Sequence, residues 1–204
     1  MRIQQAGILL RNRDDIRSEA AWICGIRLDI GRVCGERCTL RCTNCGVTNC
    51  QCECSPSCPQ AARALSADPD RYPIESGILP LVFAMKRLRV YEPCWSCEGH
   101  LGPDGSLWKL PMVWFYTRSL LYLRLLADNL NQLKGAGRIK APWQVVVSFS
   151  DPDNPETAFS IQPAIEGGAP TGLPDLWDDV RQIAGSLEAA IIERSSSIAT
   201  SKRF

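Results

Sequence analysis

Histidine is almost missing from this chain. His100 is the sole one among 204 residues, so a site built on two or more imidazoles is excluded and any histidine chemistry falls on one position. Neither sign of charge is in excess. The 23 Lys and Arg against 22 Asp and Glu leave a formal net charge of +1, too little for a global field that would draw nucleic acid or a membrane surface. No apolar run reaches the roughly 20 residues a bilayer span needs. The stretch Gly77–Val90 begins apolar, but Lys86, Arg87 and Arg89 interrupt it. There is no phosphate-binding glycine loop, no internal repeat and no low-complexity segment. The opening MRIQQAGILLRNRDD has only a short apolar run before charges resume, which is not the pattern of a secretory signal. The expectation is a soluble, cytoplasmic protein with no membrane partner.

Cysteine, by contrast, is abundant. Eight of the eleven lie in CGERCTLRCTNCGVTNCQCECSPSC, at Cys34, Cys38, Cys42, Cys45, Cys50, Cys52, Cys54 and Cys58. Thiolate is a soft ligand suited to zinc, copper(I) and iron–sulfur clusters. Cys42-Thr-Asn-Cys45-Gly46 is a step that lets one tight turn place two sulfurs on one ion. Cys50, Cys52 and Cys54 alternate with other residues, so in an extended chain their sulfurs share one side at about 6–7 Å per step. One ion would need a local bend to take all three; a multinuclear cluster with bridging thiolates would not. Two divalent ions on eight thiolates leave a formal charge of about −4, which Arg27, Arg32, Arg37 and Arg41 stand near enough in sequence to offset. A disulfide framework is the alternative; it needs an oxidising compartment and would leave one of the eleven cysteines over.

Within this run, Cys38-Thr-Leu-Arg-Cys42-Thr-Asn-Cys45 resembles the C-x3-C-x2-C motif of radical SAM enzymes. The Leu-Arg before the second cysteine is also similar, and Ile26–Ile30 could be the strand that feeds such a loop. The resemblance implies a four-iron cluster on Cys38, Cys42 and Cys45. The chain departs from that family in having Asn44 where an aromatic residue is usual, and in lacking a following Gly-Gly-Glu segment. No resemblance covers the whole chain.

A second group follows at Cys94-Trp-Ser-Cys97-Glu-Gly-His100. It resembles a zinc knuckle, two thiolates on a tight turn closed by a glycine, as in the CxxCxG steps of zinc ribbons. His100, three residues beyond Cys97, is placed to join as a ligand. Cys94, Cys97 and His100 make a site completed by one cysteine of the first run or left with an open position for water; in the other arrangement Cys42 and Cys45 face Cys94 and Cys97 in a closed four-thiolate site. A redox pair or a Cys–His dyad at 97 and 100 is the competing reading, but a Gly/Pro-rich loop follows rather than the helix that would lower a thiol pKa.

Hydrophobic content of 45% and charged content of 22% are those of an ordinary globular chain, long enough for a real core. Asn12 with Asp14 and Asp15 starts a helix whose Ile16, Ala20 and Ile23 share a face; Cys24 at its end reads as packing. Pro59 opens a short helix to Leu65. Ser66–Pro73 is turn chemistry and marks a boundary. Ile78–Val90 fits a helix, with Leu88–Tyr91 also suiting a strand. Trp108–Tyr116 reads as strand broken by Pro111. Thr117 caps a helix with Leu123, Leu126, Leu130 and Leu133 on its core face. Trp143–Phe149 and Thr157–Gln162 pair as antiparallel strands. Pro174 opens a last helix buried through Leu176, Val180, Ile183, Leu187 and Ile191.

The predicted fold class is α+β: a small antiparallel sheet packed by helices, with a cysteine-rich metal-binding insertion near the N-terminus. The units are residues 1–66, an N-terminal helix plus metal module; 74–194, an α+β domain carrying the Cys/His knuckle; and 195–204, a flexible tail. The expected function is that of an intracellular metal-binding protein, in which thiolate-bound zinc stabilises an interaction or regulatory module. Its partner would be a protein or a nucleic acid, met through Lys86, Arg87, Arg89 and Trp95. The alternative is an iron–sulfur protein in electron transfer or radical-SAM-like chemistry.

Overall fold

A computed structural model describes residues 13–26, 55–58, 60–148, 156–164 and 172–201. The cysteines from Cys34 to Cys54 lie outside these residues.

In chain order the elements are α1 (Arg13–Ile26), α2 (Ala61–Ala64), α3 (Leu79–Arg87), β1 (Glu92–Cys97), β2 (His100–Leu101), β3 (Leu107–Lys109), β4 (Met112–Tyr116), α4 (Leu120–Gly135), β5 (Trp143–Ser148), β6 (Ala158–Pro163) and α5 (Leu173–Thr200). Four strands form an antiparallel sheet in the order β1-β4-β6-β5, and β2 and β3 make a separate two-stranded ribbon. The fold is α+β with a small antiparallel sheet packed by helices.

The alternation in β4 decides which sheet face is covered. Val113 and Phe115 are fully buried, while Met112, Trp114 and Tyr116 between them are only partly so. The register carries the buried row across to Ile161 and Phe159 of β6. These side chains meet Leu81, Val82 and Met85 of α3, Leu125, Leu126 and Leu130 of α4, and the Leu176–Ile191 stripe of α5 in one core. Pro111, which has no N–H to give a ladder, stands between β3 and β4. The chain changes sheets there.

Helix α5 is the central support. All five of its expected apolar positions are buried, and α1, α3 and α4 pack against it. Ala20 and Ile23 of α1 belong to the same core as the sheet. The helix also runs further than expected. It continues to Thr200, with Ser195 wholly buried, because α1 lies along its last turns: Arg17 Nη2 donates to Ser201 O at 2.8 Å, and Cys24 Sγ is 3.3 Å from Ser196 Oγ. Residues 195–201 are therefore part of the packed helix pair rather than a tail.

Two further local expectations change. Helix α4 is capped by Ser119, whose Oγ accepts from Leu121 N at 3.1 Å. Thr117 is too far upstream to reach that first turn and instead donates to Val90 O at 2.9 Å. The ambiguous Ile78–Val90 segment resolves as helix, and Leu88–Val90 form the turn out of it. The Ser66–Pro73 stretch is a self-bonded turn, with Ser66 Oγ donating to Tyr72 O and Tyr72 N donating to Asp68 O.

Candidate metal centre

The site lies where the lead-in to α3, the β1–β2 turn and the start of α5 meet. Glu75 comes from the first segment, Cys97 from the end of β1 and His100 from the start of β2. One ligand atom from each lies within 4.8 Å of the others, and this is the one such group of three or more His, Cys, Asp or Glu among the described residues. Cys97 is 3% exposed, whereas the side chains of Glu75 and His100 are 37% and 40% exposed. The site thus has a buried sulfur floor and two donors at the surface.

Its framework is fixed by reciprocal hydrogen bonds. Glu75 Oε2 accepts from Glu98 N at 2.7 Å, and Glu98 Oε2 accepts from Gly77 N at 2.7 Å. Each loop therefore holds the other through a carboxylate. Trp177 Nε1 on α5 donates to Glu98 O at 2.8 Å, so the helix closes the third side. Gly77 packs against the Trp177 ring, where an added Cβ would come within 2.4 Å of Nε1. Gly99 adopts φ +87, and a Cβ there would meet Lys109 O at 2.9 Å; only glycine satisfies both the conformation and the space. That turn aims Gly99 N at Cys97 Sγ, 3.4 Å away.

The spacing of the exposed pair is open to two readings, an ion pair or two ligands of one ion. His100 Nε2 and Glu75 Oε1 are 3.4 Å apart. A charge-assisted hydrogen bond between them would be about 2.7–2.9 Å. Two ligands about 2.0–2.2 Å from a tetrahedral zinc are about 3.3–3.5 Å from each other. Thiolate, imidazole and carboxylate are all zinc donors, and three of them leave a fourth position for water or another ligand. The buried Cys97 sulfur is poorly placed to attack a substrate as a nucleophile.

Cys94 is not in this group. The Cys94–Cys97 step is extended strand, not the tight turn of a knuckle. It carries a β-bulge between Pro93 and Trp95, and Cys94 is exposed there. The ladder to β4 accounts for the difference: Trp95, Ser96 and Cys97 pair with Trp114, Val113 and Met112, which holds the backbone straight. Partial desolvation of its sulfur pushes the Cys94 thiol up from its ordinary pKa, against weaker backbone hydrogen bonds. Cys58 is half-buried against the apolar cluster of Ala61, Ala64, Leu79 and Phe83. Cys34, Cys38, Cys42, Cys45, Cys50, Cys52 and Cys54 lie outside the described residues. Glu75 was missed by sequence reading, since no spacing rule connects it to Cys97.

The basic and aromatic residues named as a contact surface have neighbours within the fold. Lys86 Nζ pairs with Glu92 at 2.6 Å, and Arg87 Nε with Glu188 at 3.1 Å. Arg89 lies in a cleft beyond the end of α3. Trp95 meets Trp114 with the rings tilted by 51° and their centroids 5.2 Å apart, and Lys109 Nζ lies 5.1 Å from the Trp95 ring centroid.

No family model, curated protein or solved structure matches this chain. Among the described residues no helix is long and apolar enough to cross a membrane.

Proposed function

We propose that this is a cytoplasmic metal-binding protein in which Cys97, His100 and Glu75 hold one zinc ion, and in which zinc stabilises a module for interaction or regulation. The reading rests above all on the 3.4 Å separation of His100 Nε2 and Glu75 Oε1 beside a buried, N–H-bonded thiol. An ion there would tie the approach to α3 to the β1–β2 turn, adding to bonds that already hold the three segments in place. The cysteine run from Cys34 to Cys58 and Cys94 are proposed ligands for further metal, either zinc or an iron–sulfur cluster. The partner of the module would be a protein or a nucleic acid.

Metal analysis of the whole chain, parent against Cys97→Ser and Glu75→Gln, tests the reading. Cys97→Ser should lose about one zinc equivalent, and Glu75→Gln should bind that ion more weakly. The ring signals of His100, unambiguous because it is the only histidine, should move to new positions when the parent is loaded with zinc. Unchanged metal content in Cys97→Ser, with the His100 ring signals unmoved in the loaded parent, would overturn the site. Brown protein with broad absorption near ~400 nm would assign a cluster to the cysteine run, since zinc is colourless.

A further inference from the structure

The two edges of the four-stranded sheet are built differently. Its order leaves β1 and β5 as the outer strands. An outer strand presents a row of backbone N–H and C=O groups to any strand that comes alongside, and proteins blunt such edges with charge, proline or a bulge. β1 carries all of these: Glu92 at its start, Pro93 within it, and a shift of register between Pro93 and Trp95. β5 carries none. It reads Trp-Gln-Val-Val-Val-Ser over Trp143–Ser148, and the successive valines favour an extended strand. It pairs with β6 residue for residue, from Trp143 opposite Pro163 to Ser148 opposite Ala158.

Which backbone groups of β5 point outward follows from one bond. Pro142 O accepts from Ala164 N at 2.8 Å, so position 142 faces β6. In an antiparallel ladder a residue's N–H and C=O point the same way, and successive residues alternate. Gln144, Val146 and Ser148 therefore bond β6, and the backbone groups of Trp143, Val145 and Val147 turn outward. The proline lacks a donor only on the β6 side, where it does not guard the edge. Among the described residues no backbone group bonds to the outward positions, and Val147 is 60% exposed.

We infer that β5 is a self-association edge: two copies of this chain pair β5 against β5, antiparallel, about a two-fold axis at Val145, and their sheets become one. That axis sets Val145 opposite Val145 and Val147 opposite Trp143, so every outward residue exchanges backbone bonds with a counterpart that also faces outward. A slip of one residue would set outward groups against inward ones. A two-fold contact opposes a strand to its own copy, so any charge on it would be brought beside its like. β5 has no charged residue, and this selects a second copy over a charged peptide as the occupant. β1, which ends in Cys97, is the opposite edge of the sheet, so the contact does not use the metal centre.

The test uses the full chain. Sedimentation equilibrium from about 1 to about 200 μM should show a reversible monomer–dimer equilibrium. Where the dimer dominates, amide exchange should be slow at Val145 and Val147 as well as at Gln144 and Val146. Val147→Pro removes an outward donor and blocks the partner strand without breaking a bond to β6. Val147→Lys places a charge on the edge at a side chain that is already exposed. Each should raise the dimer Kd about tenfold or more and speed exchange at Val145, while Gln144 and Val146 stay protected because the pairing with β6 is intact. If Val147→Pro does not fold, the lysine variant decides. A parent that is monomeric over the whole range would overturn the inference, and slow outward amides in that monomer would place a segment of the same chain on the edge. A dimer whose Kd in Val147→Lys stays within about twofold of the parent would also overturn it, since the copies would then meet elsewhere.

Discussion

Trp143 and Asp179 are joined by a buried hydrogen bond, indole Nε1 to Oδ2 at 3.1 Å. The same carboxylate accepts from Lys140 N at 2.7 Å and Ala141 N at 2.9 Å, and Asp179 is only 1% exposed. One side chain of α5 thus satisfies three donors at the entrance to β5. An anion this deep is tolerated because it is surrounded by donors.

Removing that carboxylate leaves the donors buried without partners. Asp179→Ala should destabilise the protein by about 2–4 kcal/mol, and Asp179→Asn by less, since its amide oxygen keeps part of the acceptor function. Urea unfolding of the three proteins measures this. A loss below ~0.5 kcal/mol in Asp179→Ala would mean that water replaces the carboxylate and that the link is not structural.

The leucine face of α4 is core. Leu126 and Leu130 are 0% and 1% exposed, so Leu126→Ala or Leu130→Ala should each cost about 2–5 kcal/mol by lost transfer energy plus the cavity. Leu120, on the same helix but 67% exposed, is the control, and its alanine variant should melt within a degree or two of the parent. Equal Tm for all three would contradict the burial.

Gly77 is required by contact with Trp177 rather than by backbone conformation. Gly77→Ala sets a methyl against a rigid ring whose Nε1 holds Glu98 O, and should cost about 1–3 kcal/mol. It should also loosen the turn carrying Cys97 and His100, which hydrogen exchange would detect as faster exchange at Glu98 N and Gly99 N. A variant with parental stability and protection would show that Trp177 swings aside freely.

Stability should fall with acid in part through Asp175. Its carboxylate is bonded to Lys140, and that hydrogen bond, followed by the lysine charge, holds its pKa below the usual carboxylate value. A depressed acid contributes stability that is present above its unfolded pKa near ~3.9 and is lost as pH falls through the folded value. Lys140, raised chiefly by the same bond, contributes below its unfolded pKa and loses that contribution as pH rises through its folded value. Asp175→Asn should therefore flatten Tm against pH below about 4 and leave a smaller difference in high salt. An identical acid limb in parent and variant would remove Asp175 from the account.

Periodicity made much of the fold legible. The five apolar positions of α5 and the β5–β6 pairing follow from spacing alone, because burying one helix stripe or one sheet face repeats a local rule along the chain. Punctuation was less secure: Thr117 and Ser119 both suit a cap, and only the position of the first helical turn selects Ser119. The tail after Ser195 looked polar enough to fray, yet serines are small and bury readily once α1 lies along the helix. At the site, composition already singled out Cys97 and the lone His100 as soft and borderline metal donors. It also paired Cys97 with Cys94, because a C-x2-C step is a turn signal wherever the local backbone is free to bend. The ladder to β4 removed that freedom. Glu75 entered only through tertiary structure, since a carboxylate 22 positions before Cys97 has no spacing to mark it. The amino acids by themselves determined which elements form and which side chains can bind metal. The folding of two loops against Trp177 decided which of those side chains meet, because donor convergence depends on distances through space that no local period encodes.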